Sequence, residues 1–283
     1  MNYRHSYHAG NFADVFKHAV LALMVHHLLK KDSFFRYLDT HAGIGLYDLQ
    51  ADEAMRTGEW RGGVGRLWDK APDPALADLL APWQQAVAAA NPAGGLRYYP
   101  GSPEVVRSLI RPGDRLTLCE LHPEDAAVLR RRYRRDERVT VVEIDGYTAL
   151  NAYLPPKERR GLVLIDPPFE EGGEFHRMAE GLKRAHKKWP TGLYTLWYPI
   201  KDVMETEAFT RSLGKLGIAD IIAADFLIRR PNDKTRLNGC GLAILNPPWT
   251  LEKDLTVLLP ALAEHLGRGE GARGRIIQIA GEA

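Results

Sequence analysis

The chain has 283 residues, a formal net charge of +2, and 45% hydrophobic and 26% charged residues, which is typical of a soluble globular protein. No apolar run approaches the ~20 residues of a membrane span, and the polar N-terminal segment does not resemble a signal peptide. Two cysteines, Cys119 and Cys240, are too few for a disulfide framework or a metal signature. We therefore expect buried free thiols in a cytoplasmic protein.

Basic residues are concentrated in three segments of the chain. A near-neutral total charge with local basic clusters fits a polyanionic partner such as nucleic acid. Each cluster alone is equally compatible with a solvated surface. The clusters are Arg130, Arg131, Arg132, Arg134, Arg135 and Arg138; Lys183, Arg184, Lys187 and Lys188; and Arg229, Arg230, Lys234 and Arg236.

The first predicted element is a helix from Val15 to Leu29, where apolar residues keep helical spacing. Asn11 or Asp14 is a candidate N-cap for this helix. His18 lies near its N-terminus, and its spacing alone indicates a surface histidine.

A glycine turn follows the first predicted strand, residues 34–38, which ends at Asp39. Gly43 and Gly45 would let the backbone approach a ligand closely. Such a turn is typical of the first strand-to-helix loop of a nucleotide-binding α/β fold. His41 occupies the first glycine position of the common G-x-G-x-G methyltransferase loop, so the motif is incomplete.

The distance to the next acidic strand end indicates an insertion. Glu120 ends the predicted strand 115–120. The acid that binds ribose hydroxyls usually follows the glycine turn by ~20 residues, but the separation between Gly45 and Glu120 is far larger. Ser102 opens a predicted helix, and its distance from Glu120 is close to the usual spacing. We therefore predict a small helical insertion subdomain at residues 46–99 within a single domain of residues 1–283.

Two further predicted strands also end in acidic residues. Residues 139–144 precede Asp145, which could hydrogen-bond the exocyclic amine of an adenine, while Gly146 allows close approach. The apolar strand 161–165 ends at Asp166, because the two following prolines cannot continue a central strand. Carboxyl ends of parallel strands meet at one sheet edge, where open α/β sheets bind ligands. The four acidic strand ends are Asp39, Glu120, Asp145 and Asp166.

The C-terminal part completes an α/β pattern with a mostly parallel, seven-stranded sheet. Residues 246–249, Asn-Pro-Pro-Trp, resemble the Asp-Pro-Pro-Phe of residues 166–169. They follow about the seventh strand, near the sheet edge, so we interpret Asn246 as structural. The predicted elements are helices 174–188, 202–216 and 251–266, the last broken at Pro260, strands 193–198, 221–228 and 242–245, the last two an antiparallel hairpin, and a candidate edge strand 275–280.

The order of these motifs is that of an S-adenosylmethionine-dependent amino-methyltransferase. Gly43 and Gly45 would leave room for the methionine part of the cofactor. Glu120 would bind the ribose, and Asp145 would bind the adenine. The Asp166 carboxylate and the Pro167 carbonyl could hold the two N–H groups of a nucleobase amine and localise its lone pair. Phe169 would stack on the unstacked base. This chemistry needs no metal.

Several motifs resemble those of the RlmJ family, bacterial 23S rRNA (adenine-N6)-methyltransferases. The resemblance covers essentially the whole chain. It departs at Phe169, where many relatives have Tyr, although stacking needs only the ring. The motifs are residues 3–11, Asp14 with Lys17 and His18, and residues 38–43, 97–103, 120–123, 164–168 and 196–199.

This resemblance implies a Rossmann-like class I S-adenosylmethionine-dependent methyltransferase with a helical insertion. It implies 23S rRNA, free or partly assembled, as the partner, without a membrane, and we expect a monomer. Asp166 is the expected catalytic residue, and Tyr3 joins Pro167 and Phe169 as expected substrate-binding residues. The expected cofactor positions are Lys17, His18, His41, Gly43, Ser102, Glu120, Asp145, Gly146 and Asp166.

Three alternatives remain open at the level of sequence. A DNA adenine-N6 methyltransferase would share the motif and its chemistry. A protein glutamine methyltransferase uses Asn-Pro-Pro-Tyr, which the aspartate at position 166 disfavours. A non-enzymatic RNA-binding protein would not need the acidic series.

Overall fold

The computed structural model describes residues 4–69 and 74–281. Its α-helices are α1 (Phe12–Leu29), α2 (Asp52–Thr57), α3 (Pro74–Ala90), α4 (Ser102–Leu109), α5 (Pro123–Tyr133), α6 (Gly146–Tyr153), α7 (Glu174–Lys188), α8 (Val203–Gly214) and α9 (Leu251–Leu266). Its strands are β1 (Arg36–Asp39), β2 (Leu46–Asp48), β3 (Tyr98–Pro100), β4 (Arg115–Glu120), β5 (Val139–Glu143), β6 (Gly161–Ile165), β7 (Leu193–Ile200), β8 (Ile221–Leu227), β9 (Gly239–Leu245) and β10 (Arg273–Ala280).

The central sheet has the strand order β10-β8-β9-β7-β6-β1-β4-β5. The five neighbouring strands β7, β6, β1, β4 and β5 are parallel to one another. Strand β9 pairs antiparallel with both β7 and β8. This arrangement confirms the predicted α/β class, the mostly parallel sheet and the β8–β9 hairpin. The predicted count of seven strands roughly fits, and β10, the candidate edge strand expected at 275–280, pairs antiparallel along β8 as an eighth.

The direction of each strand decides which loops share an edge of the sheet. Strands β1, β4, β5, β6 and β7 end at one edge, which we call the carboxyl edge. Because β8 and β7 both run antiparallel to β9, the loop after β8 lies at the carboxyl edge as well. The end of β9 lies at the opposite, amino edge, where the Asn246 side-chain amide donates to the carbonyls of Pro190 and Gly192. This position supports the structural interpretation of Asn246.

Helix α1 is the central helix of one face of the sheet. Asn11 caps it, since its side-chain oxygen accepts the backbone amides of Ala13 and Asp14 at 2.9 and 3.0 Å. The helix is long and apolar enough to cross a membrane, yet 78% of it is buried within the protein. Burial on nearly all sides is what a core helix of an α/β fold requires.

The segment between β1 and α4 packs onto the same hydrophobic core as the sheet. Its helix α3 contributes Leu80 and Trp83 to the core that also contains Phe16 of α1. Its ends, β2 and β3, form a two-stranded antiparallel pair that the sequence pattern did not indicate. The assignment of residues 46–99 as a subdomain stays a prediction.

Helix α9 continues through Pro260, so the break predicted there is wrong. A proline inside a helix removes one backbone hydrogen bond and crowds the preceding turn. Pro260 lies on the exposed side, while Leu258, Leu259 and Leu262 are buried. Packing of this leucine face holds the helix together across the proline.

Candidate active site

A cleft of about 560 Å³ opens at the carboxyl edge, and we call it the first cleft. This volume lies within the ~300–1,000 Å³ of typical small-molecule sites. Its walls come from α1 and from the segments that follow β1, β4, β5 and β6. All nine residues at the expected cofactor positions line it: Lys17, His18, His41, Gly43, Ser102, Glu120, Asp145, Gly146 and Asp166.

Glu120 is held rigidly on the floor of the first cleft. One carboxylate oxygen accepts the backbone amide of Gly43 and the other accepts that of His122, each at 2.8 Å. Burial raises the pKa of Glu120 above its usual value. Gly43 has a φ of +60°, a conformation that glycine adopts without strain. Each oxygen keeps a lone pair that can accept a ligand hydroxyl.

Asp145 and Gly146 form the start of α6 beside the loop after β1. Asp145 caps the helix by accepting the Thr148 amide at 2.8 Å. A side chain at position 146 would come within 2.6 Å of the Thr40 carbonyl oxygen. Glycine is therefore required here for protein packing as well as for access to the cleft. Burial lowers the pKa of the adjacent His41, which keeps that imidazole neutral at pH 7.

His18 is buried, so its interpretation as a surface histidine is wrong. Its Nδ1 lies 2.8 Å from the Tyr99 hydroxyl, because β3 covers this part of α1. Burial, followed by the charge of Lys17, lowers the pKa of His18 to about 3. Its Nε2 is buried and has no hydrogen-bond partner among the described residues. A neutral imidazole with one nitrogen available to a ligand therefore lines the first cleft.

Asp39 does not line the first cleft, in contrast to the other three acidic strand ends. It is fully buried and accepts hydrogen bonds from the hydroxyls of Tyr37 at 2.8 Å and Ser102 at 2.7 Å. Burial raises the pKa of Asp39 to about 6. Asp39 thus positions Ser102 from beneath the cleft.

Asp166 joins a partly buried ion-pair network with α1. The Lys17 ammonium lies 2.6 Å from Asp166 Oδ2 and 3.0 Å from Asp14 Oδ1. Burial opposes the charge on Lys17, but these two carboxylates raise its pKa well above the usual value. Asp14 also contacts His5 Nε2 at 2.9 Å. The network fixes one oxygen of Asp166 and leaves Oδ1 available.

A second cleft of about 550 Å³ meets the first at Asp166. Lys17, Asp166 and Pro168 line both clefts. The second cleft is lined by Pro167 and, among other side chains, by the aromatic rings of Phe169 and Trp197, whose centroids are 5.9 Å apart in an edge-on arrangement.

Two residues need separate comment: Trp197, which is not among the site residues expected from the sequence, and Tyr3, which is. Trp197 belongs to the motif of residues 196–199, but nothing in the spacing gave it a place at the site. Its position follows from β7 lying next to β6 in the sheet. The expected substrate contact at Tyr3 lies outside the described residues.

Comparison with known proteins gives the family. The family model described as ribosomal RNA large subunit methyltransferase D, RlmJ, matches residues 32–277. This chain belongs to the RlmJ family. It is therefore a methyltransferase with the Rossmann-like class I fold, and its methyl donor is S-adenosylmethionine.

RlmJ relatives match this chain over nearly its full length. Ribosomal RNA large subunit methyltransferase J of Escherichia coli (strain K12) is 41% identical over 266 residues, 94% of each chain. The protein of the same description from Haemophilus influenzae is 40% identical over 267 residues, again 94% of each chain. A crystal structure of a Legionella pneumophila protein superimposes with a TM-score of 0.87 at 35% identity and covers 96% of this chain and 98% of its own.

The first cleft of this RlmJ-family chain could hold each part of S-adenosylmethionine. Glu120 offers lone pairs suited to ribose hydroxyls, and Asp145 offers an acceptor suited to an adenine amine. His18 Nε2, which has no hydrogen-bond partner among the described residues, and the Lys17–Asp166 pair are polar groups of the kind that the methionine part requires. The residues that line the first cleft therefore fit S-adenosylmethionine.

Proposed function

We propose that this protein methylates the exocyclic N6 amine of one adenine in 23S rRNA. The observation that carries this proposal is the position of Asp166 at the junction of the two clefts. A donor in the first cleft and a base in the second would meet at this carboxylate. The names of the two curated relatives, both ribosomal RNA large subunit methyltransferases, support ribosomal RNA as the substrate.

We assign the first cleft to S-adenosylmethionine. Glu120 binds the ribose hydroxyls, Asp145 binds the adenine amine, and Gly43 leaves room for the methionine part. The remaining expected cofactor positions help to shape the cleft: Lys17, His18, His41, Ser102 and Gly146. When bound, S-adenosylmethionine supplies a sulfonium methyl group that a nucleophile can accept.

Asp166 orients the target amine. Its Oδ1 and the Pro167 carbonyl each accept one N–H of the amine, while Lys17 holds Oδ2. Two acceptors draw the nitrogen towards tetrahedral geometry and localise the lone pair, which is otherwise delocalised into the base. This orientation supplies much of the rate enhancement through positioning. Asp166, or a water molecule beside it, accepts the proton that leaves the nitrogen.

The second cleft holds the adenine after it has left its stack. Phe169 stacks on the base, and Trp197 supports Phe169 from the side. Stacking on an aromatic ring is how proteins commonly bind unstacked RNA bases. We further propose that Tyr3 contacts the same base.

The decisive experiment is methylation of 23S rRNA purified from a strain that lacks this gene. The wild-type protein and S-adenosylmethionine should produce N6-methyladenosine at one position, detected by nuclease digestion and mass spectrometry. Asp166→Asn should lower the rate by about 10²–10⁴-fold, the range of a lost acid–base or orienting group. A wild-type rate on Asp166→Asn would exclude the assignment of Asp166.

A parallel reaction on duplex DNA controls for substrate class. We expect no more than background methylation of DNA. Robust methylation of duplex DNA with none of 23S rRNA would replace this proposal by a DNA adenine methyltransferase.

We also propose that the protein acts in the cytoplasm, as a monomer, on free or partly assembled rRNA. Light scattering of the purified protein should give a mass near 31.7 kDa. Mature large subunits should accept less methyl label than free 23S rRNA. A dimer mass, or equal labelling of mature subunits, would contradict the respective part of this proposal.

A further inference from the structure

The three basic clusters lie at different places around the sheet. The turn after α5 lies at the amino edge, because the Arg138 carbonyl accepts the Leu116 amide at the start of β4. Arg130, within α5, instead reaches Glu143 at the carboxyl end of β5. Helix α7 ends just before β7 begins, so Lys187 and Lys188 lie at the amino edge too. Only the loop after β8 places its whole cluster at the carboxyl edge, next to the second cleft.

Four cations from three separate segments line the second cleft together with Phe169. We call them the basic arc. Lys201 follows β7, and Arg229 and Arg236 belong to the loop after β8. Arg268 follows α9 and is drawn to the same loop by its backbone amide, which donates to the Ile228 carbonyl at 2.7 Å.

Most of the charge of the basic arc is not neutralised within the described chain. Among residues 4–69 and 74–281, only Arg236 of the four forms an ion pair, to Asp233 at 3.1 Å. The Nε of Arg229 is buried and has no hydrogen-bond partner there. By contrast, Arg130 and Arg138 of the first cluster pair with Glu143 and Asp136.

The arc also contains like charges that repel one another. Burial, followed by the charge of Arg229, lowers the pKa of Arg268. Glu59 faces the same cleft, and its charge partly offsets this effect on Arg268. It forms no ion pair with Arg268, however, because its carboxylate accepts a hydrogen bond from Asn11 and contacts His8. A group of cations held together against repulsion, with an unused donor, favours an anionic ligand.

We propose that the basic arc binds the phosphates that flank the methylated adenosine in the RNA strand. An aromatic ring beside a positively charged rim is the combination that proteins use to bind single-stranded nucleic acid. Phosphate contacts from the rim would fix the strand while the base lies in the cleft. This inference rests on the proposed function, since it takes the second cleft as the site of the base.

The test compares two triple variants with equal loss of charge. The arc variant is Arg229→Gln, Arg236→Gln and Arg268→Gln. The control variant is Arg131→Gln, Arg134→Gln and Arg135→Gln, three exposed arginines at the end of α5 and just after it that do not line the second cleft. Equilibrium binding of 23S rRNA from the deletion strain is measured over a range of salt concentrations, together with KM and kcat for methyl transfer and the affinity for S-adenosylmethionine.

For the arc variant, we expect the slope of log K against log salt to become shallower by about 2, at ~0.7 per single-strand phosphate contact. KM for rRNA should rise at least about 10-fold, whereas kcat and the affinity for S-adenosylmethionine should stay near wild type. The control variant should match the wild type in slope and KM. An unchanged slope for the arc variant, or an equal loss in the control, would overturn the inference.

Two further measurements keep the result interpretable. Lys201→Gln alone should reduce the slope by about 0.7, which tests the arc if the triple variant does not fold. A wild type that binds 23S rRNA through the arc but transfers no methyl group to it would reject the proposed function and leave the arc standing. Normal methylation of 23S rRNA by both triple variants would support the proposed function and reject the role of the basic arc.

Discussion

Lys17 and Asp166 form a 2.6 Å ion pair that connects the first helix to the turn after β6. The same ammonium lies 3.0 Å from Asp14, one helical turn earlier, so a single cation stabilises two carboxylates. Lys17 and Asp14 are buried, and the Lys17 ammonium lies 5.9 Å from the centroid of the Trp197 ring. The orientation of Asp166 therefore depends on a residue far away in sequence.

Replacement of Lys17 by Met should damage both catalysis and stability. Loss of the ammonium removes the partner of buried Asp14 and of partly buried Asp166. Breaking a comparable buried pair costs about 3–5 kcal/mol of unfolding free energy, and the His5 contact that Asp14 keeps places the expected loss at the lower end of that range. Asp166 also loses its fixed orientation, so kcat should fall by about 10²–10³-fold, as for removal of a preorganised group. Urea unfolding and methyl transfer to 23S rRNA measure the two effects.

Lys30→Met is a matched control, because Lys30 lies at the exposed end of the same helix. It should change neither stability nor kcat measurably. A Lys17→Met protein with a wild-type rate would show that Asp166 does not need this partner.

His18 should make the protein less stable in acid. Its pKa is about 3 in the folded protein, against an ordinary value of 6.5, so the unfolded chain binds a proton first. The stability that neutral His18 contributes is complete above pH 6.5 and is lost progressively as the pH falls towards 3. At pH 5 the loss is about 2 kcal/mol relative to pH 8.

The variant His18→Gln isolates this contribution because it cannot titrate. The difference in unfolding free energy between wild type and His18→Gln should shrink by about 2 kcal/mol between pH 8 and pH 5. Urea titrations at both values measure it. A difference that stays constant with pH would mean that His18 has an ordinary pKa.

The sequence predicted the acidic strand ends well for a physical reason. A parallel strand buried on both faces reads as an apolar run, so its end and the residue that follows can be located. Strands of a parallel sheet also end at one edge, which brings Glu120, Asp145 and Asp166 together without knowledge of side-chain contacts. All three line the first cleft.

The sequence could not predict features that depend on distant segments packing together. His18 is buried because β3 brings Tyr99 against it across a long insertion. Asp39 is buried beneath the cleft because Ser102 and Tyr37 enclose it, although its sequence context matches that of the other strand ends. Local spacing carries no information about either contact, and the same holds for Trp197.

Glu120→Gln should weaken the binding of S-adenosylmethionine. The amide has only one acceptor atom, so one of the backbone amides of Gly43 and His122 loses its partner and the ribose loses a charged acceptor. Charge-assisted hydrogen bonds contribute about 1.5–3 kcal/mol, which corresponds to a loss of about 10–150-fold in affinity. Isothermal titration calorimetry provides the measurement.

The pH dependence of the same affinity gives a second check. Burial raises the pKa of Glu120, so its carboxylate becomes protonated sooner as the pH falls. Wild-type affinity should therefore weaken towards acid pH, and Glu120→Gln should lack that component. Glu143→Gln is the control, since Glu143 pairs with Glu120 in the sheet register but is exposed and forms an ion pair with Arg130. Equal weakening in both variants would argue against a direct contact from Glu120.

Phe169→Tyr and Phe169→Leu should separate stacking from simple packing. Phe169 has a φ of +53°, and both replacements meet the same backbone strain, so that cost cancels in the comparison. Tyrosine keeps the ring and should retain a near-wild-type KM for 23S rRNA. Leucine removes the ring and should lose the ~1–3 kcal/mol of one base–aromatic stack, which corresponds to a rise in KM of about 5–150-fold.

Affinity for S-adenosylmethionine should not change in either variant, because Phe169 does not line the first cleft. Phe34→Leu, at an exposed phenylalanine just before β1 at the amino edge, should leave KM unchanged. If the Phe169→Leu variant bound rRNA as well as the Phe169→Tyr variant does, the base would not stack on this ring.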